Sequence, residues 1–172
     1  MEYIFLSGVI ILGITDLRNH FIPNKITLPL ILLGIGYGIY LGEWKQALLG
    51  FAVAFGIGFI GFILRGMGGG DVKLLGAIGA WMGYEAGMKI LLIACAIALP
   101  WGIYKIARDG RLKEKIQAWK GSLWYLATGG IFGWMKHLAS LEKLPEDGTI
   151  PKVAVPFGTC MAAGTIIVYC LR

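Results

Sequence analysis

Asp16 stands at the end of the apolar run 3–14, and Asp71 opens the run 74–83 directly behind Gly68, Gly69 and Gly70. Each has an ordinary explanation. The C-terminal end of a helix carries partial negative charge, so an acid there is unfavourable unless something offsets it. Pairing with Arg18 at an interface is one such offset. Asp71 is well placed to act as the N-cap of the helix it opens. As a pair, the two have a chemistry that neither has alone. Two carboxylates that share a partly desolvated site cannot both ionise readily, so one proton stays with the pair. The ionised member can take a proton from water while the protonated member polarises a carbonyl. That combination hydrolyses a peptide bond without a covalent intermediate, provided the two side chains meet.

The residues around them are compatible with a peptide substrate. Gly66, Gly68, Gly69 and Gly70 precede Asp71, and a glycine run lets another chain approach the backbone closely. A flexible turn between two helices would look the same. The phosphate-binding pattern G-x-x-x-x-G-K-[ST] is absent. Lys73 is either a topology charge or a modulator of the pair. Other nucleophile arrangements are weak: His20 and His137 are the only histidines, and no G-x-S-x-G surrounds Ser7, Ser122 or Ser140. His20 lies four residues from Asp16, within pairing distance on a helix. The acids, histidines and cysteines are too few and scattered for a metal centre. Cys95, Cys160 and Cys170 all fall in apolar segments with no C-x-x-C pair, which reads as packing rather than zinc or disulfides.

The elements that must carry the two acids are apolar. Of 172 residues, 57% are hydrophobic and 15% charged, and the mean hydropathy is +0.72. That leaves too little polar surface for a water-soluble domain and points to lipid as the solvent. Six apolar runs stand out, at 3–14, 26–41, 47–64, 74–83, 90–104 and 153–171. A span needs about 20 helical residues. The first run must therefore draw in Thr15 and Asp16, and the fourth Asp71 and Lys73, which puts both carboxylates at the lip of the membrane, where a charge is costly. The runs are continuous rather than alternating, which argues against barrel strands. Glu2 and the lack of a small-residue cleavage site argue that the first run is a retained helix rather than a cleaved signal.

Charge gives the orientation. The connections after the first, third and fifth runs hold 13 of the 16 Lys and Arg residues, leaving Lys45, Lys89 and Arg172 on the other side. The positive-inside rule makes the first set cytoplasmic and both termini external. The net charge of +6 then calls for anionic headgroups of the cytoplasmic leaflet rather than a nucleic acid. Within the long connection 106–151, the segment 111–119 (RLKEKIQAW) places Leu112, Ile116 and Trp119 on one face with basic residues around them; Trp124, Tyr125, Ile131, Phe132 and Trp134 follow. This pattern suits one or two helices lying in the interface plane.

The segment DLRNHFIPN, from Asp16 to Asn24, and GMGGGDVK, from Gly66 to Lys73, resemble the type IV prepilin peptidase family, membrane aspartyl proteases of the GxGD class. The resemblance rests on an Asp at a helix end followed by Ile22-Pro23-Asn24 and on Gly68-x-Gly70-Asp71-x-Lys73, with Pro156-Phe157-Gly158 similar to the family's break in its last helix. It covers essentially the whole chain. The presenilin-like branch of the class fits less well, since Asp16 follows Thr15 and no P-A-L occurs. The resemblance implies Asp16 and Asp71 as the catalytic pair, Gly68 and Gly70 shaping the backbone beside Asp71, and Lys73, Pro23 and Asn24 in support. It implies no metal and no cofactor. Its substrate would be a prepilin-like precursor with a basic leader ahead of an apolar helix, cut on the cytoplasmic side after a glycine. The paired C-x-x-C motifs of the methyltransferase region are missing, so peptidase activity alone is expected, as in the short Flp/Tad-type forms.

The expected molecule is therefore an all-α polytopic membrane protein. It has one peptidase domain over 1–172, six transmembrane helices and interfacial amphipathic helices in 106–151. It is an aspartic endopeptidase of the inner membrane with a prepilin-like partner and no nucleic acid; its oligomeric state is not legible. The competing reading is a small proton-coupled transporter, which would use the same intramembrane acids with helix-breaking Gly and Pro.

Overall fold

A computed structural model describes residues 1–63, 67–108 and 155–171. The interfacial helices expected around Leu112 to Trp134 lie outside the described residues, as does Gly66. Every element among the described residues is a helix: α1 Glu2–Asn19, α2 Asn24–Tyr40, α3 Trp44–Ile63, α4 Gly69–Arg108 and α5 Phe157–Cys170. The chain divides into two compact units, Met1–Leu99 with Val155–Arg172, and Pro100–Ala154. Of the second unit, only the helix end at 100–108 is described.

The short first run gains its length as expected, since α1 takes in Thr15, Asp16 and three further residues. It stops at His20, which adopts the left-handed conformation (φ 49°, ψ 35°) and donates its N–H to Asp16 O at 2.8 Å. Proline then fixes the next turn: Pro23 precedes α2 with φ −71° and ψ 127°, and its carbonyl accepts the N–H groups of Ile26 and Thr27 at 3.1 and 3.3 Å. The link between α1 and α2 is thus four residues long and held at both ends.

The fourth and fifth apolar runs differ from the sequence expectation. Instead of a loop over 84–89, helix resumes at once after a single break at Gly83 (φ 80°, ψ 172°). This conformation is essentially reserved for glycine. A Cβ placed on Gly87 would lie 3.6 Å from Gly79 Cα, whereas eight residues of straight helix separate two positions by about 12 Å. The chain therefore doubles back at Gly83, and α4 is a helical hairpin with limbs 69–82 and 84–108. The last run also differs: α5 begins at Phe157 rather than at 153, with Pro156 at its N-cap.

Close backbone contact packs these helices. A Cβ on Gly50 of α3 would meet the Gly79 carbonyl of α4, and a Cβ on Gly79 would meet that of Gly50. Contacts of this kind between small residues are how helices associate in lipid, where the apolar solvent offers no hydrophobic drive. Trp81, near the Gly83 end, stacks on Phe5 of α1 at 5.3 Å and Tyr37 of α2 at 5.5 Å. It also donates Nε1–H to Leu30 O at 2.8 Å. Leu12, Leu74, Ile78, Ile90 and Met161 are fully buried at the centre, and α1 packs along α5.

Two helical segments, Trp44–Ile63 and Gly69–Lys105, are long and apolar enough to cross a membrane, yet only 22% and 17% of their apolar windows are buried inside the protein. A core helix of a soluble protein would be mostly buried. Large apolar side chains such as Leu32, Ile60, Leu92 and Leu99 stand outward. The chain is an integral membrane protein whose apolar exterior faces lipid.

Candidate active site

Asp16 reaches the site from the last turn of α1. It is 5% exposed, the only buried acid among the described residues. Its charge at a helix C-terminus is offset by another helix. Pro156 offers no side-chain cap to α5, so the first N–H groups of that helix need an acceptor. Thr159 N–H donates to Asp16 Oδ2 at 3.1 Å, and the Gly158 amide faces the same carboxylate. Asp16 thus serves as an N-cap supplied in trans, 143 residues away in sequence. It lies where the partial positive charge of α5 favours an anion. Thr159 secures the contact from its other side, donating Oγ1–H to Gly13 O at 2.8 Å. The pairing with Arg18 is replaced by this arrangement: Arg18 points outward, while His20 lies close enough for its charge to act on Asp16.

Asp71 is not the N-cap of α4. It is the third residue of that helix, and its carboxylate reaches back to accept Gly68 N–H at 3.2 Å. This is one half of a capping box, with glycine where Ser or Thr would complete it. The position follows from the glycines, which let the helix start at Gly69, three residues earlier than a cap at 71 requires. Gly68 O in turn accepts Val72 N–H at 3.2 Å. The second carboxylate oxygen, Asp71 Oδ1, is buried and has no hydrogen-bond partner among the described residues. An unpartnered buried oxygen is costly, and such groups call for an explanation in function, strain or bound water.

The structure brings the two acids to one end of the bundle. The Asp16 charge acts on Asp71, and the Gly158 amide that faces Asp16 also faces Asp71. Cys160, buried one turn into α5, feels both carboxylates. Gly158 is closely covered: a Cβ there would lie 3.0 Å from Asp16 Oδ2 and 2.7 Å from Ile22 Cδ1, so these side chains would have to shift to admit one.

The supporting residues meet as well. Lys73 Nζ donates to Asn24 Oδ1 at 2.8 Å, linking positions 49 residues apart. Pro23 starts the helix that carries Asn24. Gly70 has Ile22 against it, so that a Cβ at Gly70 would lie 2.8 Å from Ile22 Cβ. Sequence reasoning missed three participants: Thr159, Gly158 as an amide shared by both acids, and Ile22 as more than part of a motif. One faint signal pointed to the first two, the Pro156-Phe157-Gly158 break; Ile22 follows the equally apolar Phe21 and does not stand out. Among the described residues, no three His, Cys, Asp or Glu side chains gather to hold a metal ion.

Comparison with known proteins gives the family of the chain. Residues 3–103, which include both aspartates, match the model of the type IV leader peptidase family. The chain is 35% identical to the prepilin leader peptidase/N-methyltransferase of Escherichia coli (strain K12) over 101 residues, covering 54% of this chain and 45% of that protein. Against the protein of the same name in Burkholderia pseudomallei (strain 1026b) it is 31% identical over 135 residues, covering 72% and 42%. The leader peptidase HopD of Salmonella typhimurium is 34% identical over 140 residues, covering 76% of this chain and 89% of HopD. The chain thus spans less than half the length of the first two relatives. No solved structure matches it. On the family model and the near full-length likeness to HopD, the chain belongs to the type IV leader peptidase family.

Proposed function

We propose that this protein is a six-span aspartic endopeptidase that removes the basic leader from type IV prepilin-like precursors at the cytoplasmic membrane face. One observation carries the reading: two acids from separate helices face a single backbone amide, one held by Thr159 N–H and the other with a buried oxygen left unpartnered. That buried oxygen, beside a second carboxylate, is where a water to be activated would bind.

The chemistry follows from the asymmetry. Asp16 accepts Thr159 N–H at the N-terminus of α5, and we assign it as the ionised member of the pair. Asp71 then holds the shared proton. Asp16 takes a proton from water as the water attacks the scissile carbonyl, and Asp71 gives its proton to the carbonyl oxygen. The resulting tetrahedral diol collapses as Asp16 returns its proton to the leaving amine and Asp71 takes back the proton of one diol hydroxyl, which restores the starting pair. No covalent enzyme intermediate forms. Gly70 lets Ile22 pack against the backbone beside Asp71, and Gly68 supplies the N–H that Asp71 accepts.

The proposed topology counts the two limbs of α4 as separate spans, with α1, α2, α3 and α5 as the others. The basic connections then face the cytoplasm and its anionic headgroups. α5 has 14 residues, a length of about 21 Å against a hydrocarbon core of about 30 Å, so its N-terminal end, where the site lies, sits just inside the lip. A transporter would need acids placed to relay protons across the bundle. Glu43 and Glu85, in contrast, are exposed at the end opposite the site.

The test is purified protein in liposomes with a precursor carrying a basic leader and an apolar helix. Cleavage at the leader junction is expected. Proton-dependent flux without cleavage would overturn the reading.

A further inference from the structure

Ile22 lies in the four-residue link between α1 and α2, and it alone in that link is buried, at 6% exposure against 64% for its neighbour Phe21. Its two ends touch different parts of the site. Cβ abuts Gly70, the residue before Asp71, and Cδ1 abuts Gly158, whose amide faces both carboxylates; a Cβ on those glycines would lie 2.8 Å and 2.7 Å from it. The same point above Gly158 is 3.0 Å from Asp16 Oδ2, so the tip of Ile22 is a neighbour of the Asp16 carboxylate. One side chain therefore stands between the segment bearing Asp71 and the amide holding Asp16.

We infer that Ile22 is a positioning residue, a spacer that sets the gap between the Asp16 and Asp71 carboxylates; this rests on the aspartic peptidase reading. Its shape suits the task. A β-branched side chain is stiff at χ1, and both surfaces it touches are glycine backbone, which has no side chain to yield. The link carrying it is immobilised on each side, by the His20 cap on Asp16 O and by the Lys73 Nζ to Asn24 Oδ1 bond at 2.8 Å. The bond to Lys73 ties the link to the helix of Asp71, so Ile22 is clamped against Gly70 rather than resting there. A water shared by two carboxylates tolerates little change in their separation, and a misplacement of about 1 Å costs about a hundredfold in rate.

The experiment measures kcat and KM of Ile22→Val and Ile22→Ala on a prepilin-like precursor in liposomes, beside wild type and Asp71→Asn. Val loses only Cδ1, which touches Gly158 and the outer side of Gly70; Ala loses Cγ1 as well and keeps only Cβ against Gly70. The expected result is a graded fall in kcat, a few-fold for Val and about a hundredfold for Ala, with KM within about twofold of wild type because the spacer holds the reacting groups and not the substrate's apolar helix. Unchanged kcat in both variants, or a KM that rises in step with the fall in kcat, overturns the spacer. Should Ile22→Ala fail to accumulate, Ile22→Val decides alone: lower kcat at constant KM supports the spacer, and wild-type kcat overturns it. Cleavage by Asp71→Asn, or none by wild type, would instead sink the peptidase reading.

Discussion

Asp16 illustrates how one side chain can be required both by the fold and by the chemistry. Its oxygen caps α5 through Thr159 N–H at 3.1 Å, so removing it exposes a helix end as well as a reacting group. The two roles separate by substitution. Asp16→Asn retains an acceptor for Thr159 and should keep most of the stability while losing cleavage. Asp16→Ala loses the cap too and should cost about 1 kcal/mol more. Thermal unfolding in detergent distinguishes them; equal stability of the two variants would mean the cap contributes nothing. The sequence pointed to Asp16 because an acid at the end of an apolar run is poorly explained by stability. Its acceptor role was hidden, because the partner is a backbone amide 143 residues away and a backbone amide has no sequence signature. Asp71 was legible as an acid at a helix start, but its exact place was not, since three glycines allow the helix to begin at several points.

At the scale of elements, apolar runs located the helices of the described residues well and their ends poorly. Ends are set by local devices that hydropathy does not register: the left-handed His20, Pro23 and Pro156 at N-caps, and the reversal at Gly83. Gly83 closed an apolar run in the sequence, yet only the structure reveals that it replaces an entire loop. Gly83→Ala should destabilise the protein by about 1–3 kcal/mol, because its φ of 80° and ψ of 172° suit glycine alone. Gly83 is twelve residues along a helix from Asp71, about 18 Å, so kcat per folded molecule should hold. Unfolding midpoints and active-site-normalised rates test both statements; wild-type stability would contradict the first and a lowered kcat the second. Gly79→Val should cost a similar amount by forcing α3 away from α4 at the Gly50 contact, read in the same unfolding assay.

For the whole molecule, topology determines where the site faces. Phe21 is 64% exposed beside the site and Leu41 is 52% exposed between α2 and α3. In a cysteine-free background, a membrane-impermeant maleimide should label Phe21→Cys only in inside-out vesicles and Leu41→Cys only in right-side-out ones. The reverse pattern, or labelling of both from one side, would contradict the orientation read from the basic connections. Composition made the membrane setting plain, whereas the number of spans depends on how the hairpin in α4 sits in lipid. The central claim is that Asp16 and Asp71 act as one hydrolytic pair, and it is tested most directly by the rate at which folded Asp16→Asn and Asp71→Asn proteins cleave a prepilin-like precursor in liposomes. Each should fall by about a hundredfold to ten-thousandfold, with the double variant no worse than the singles, as expected for groups that act as a unit. Near wild-type cleavage by either single variant would contradict the account.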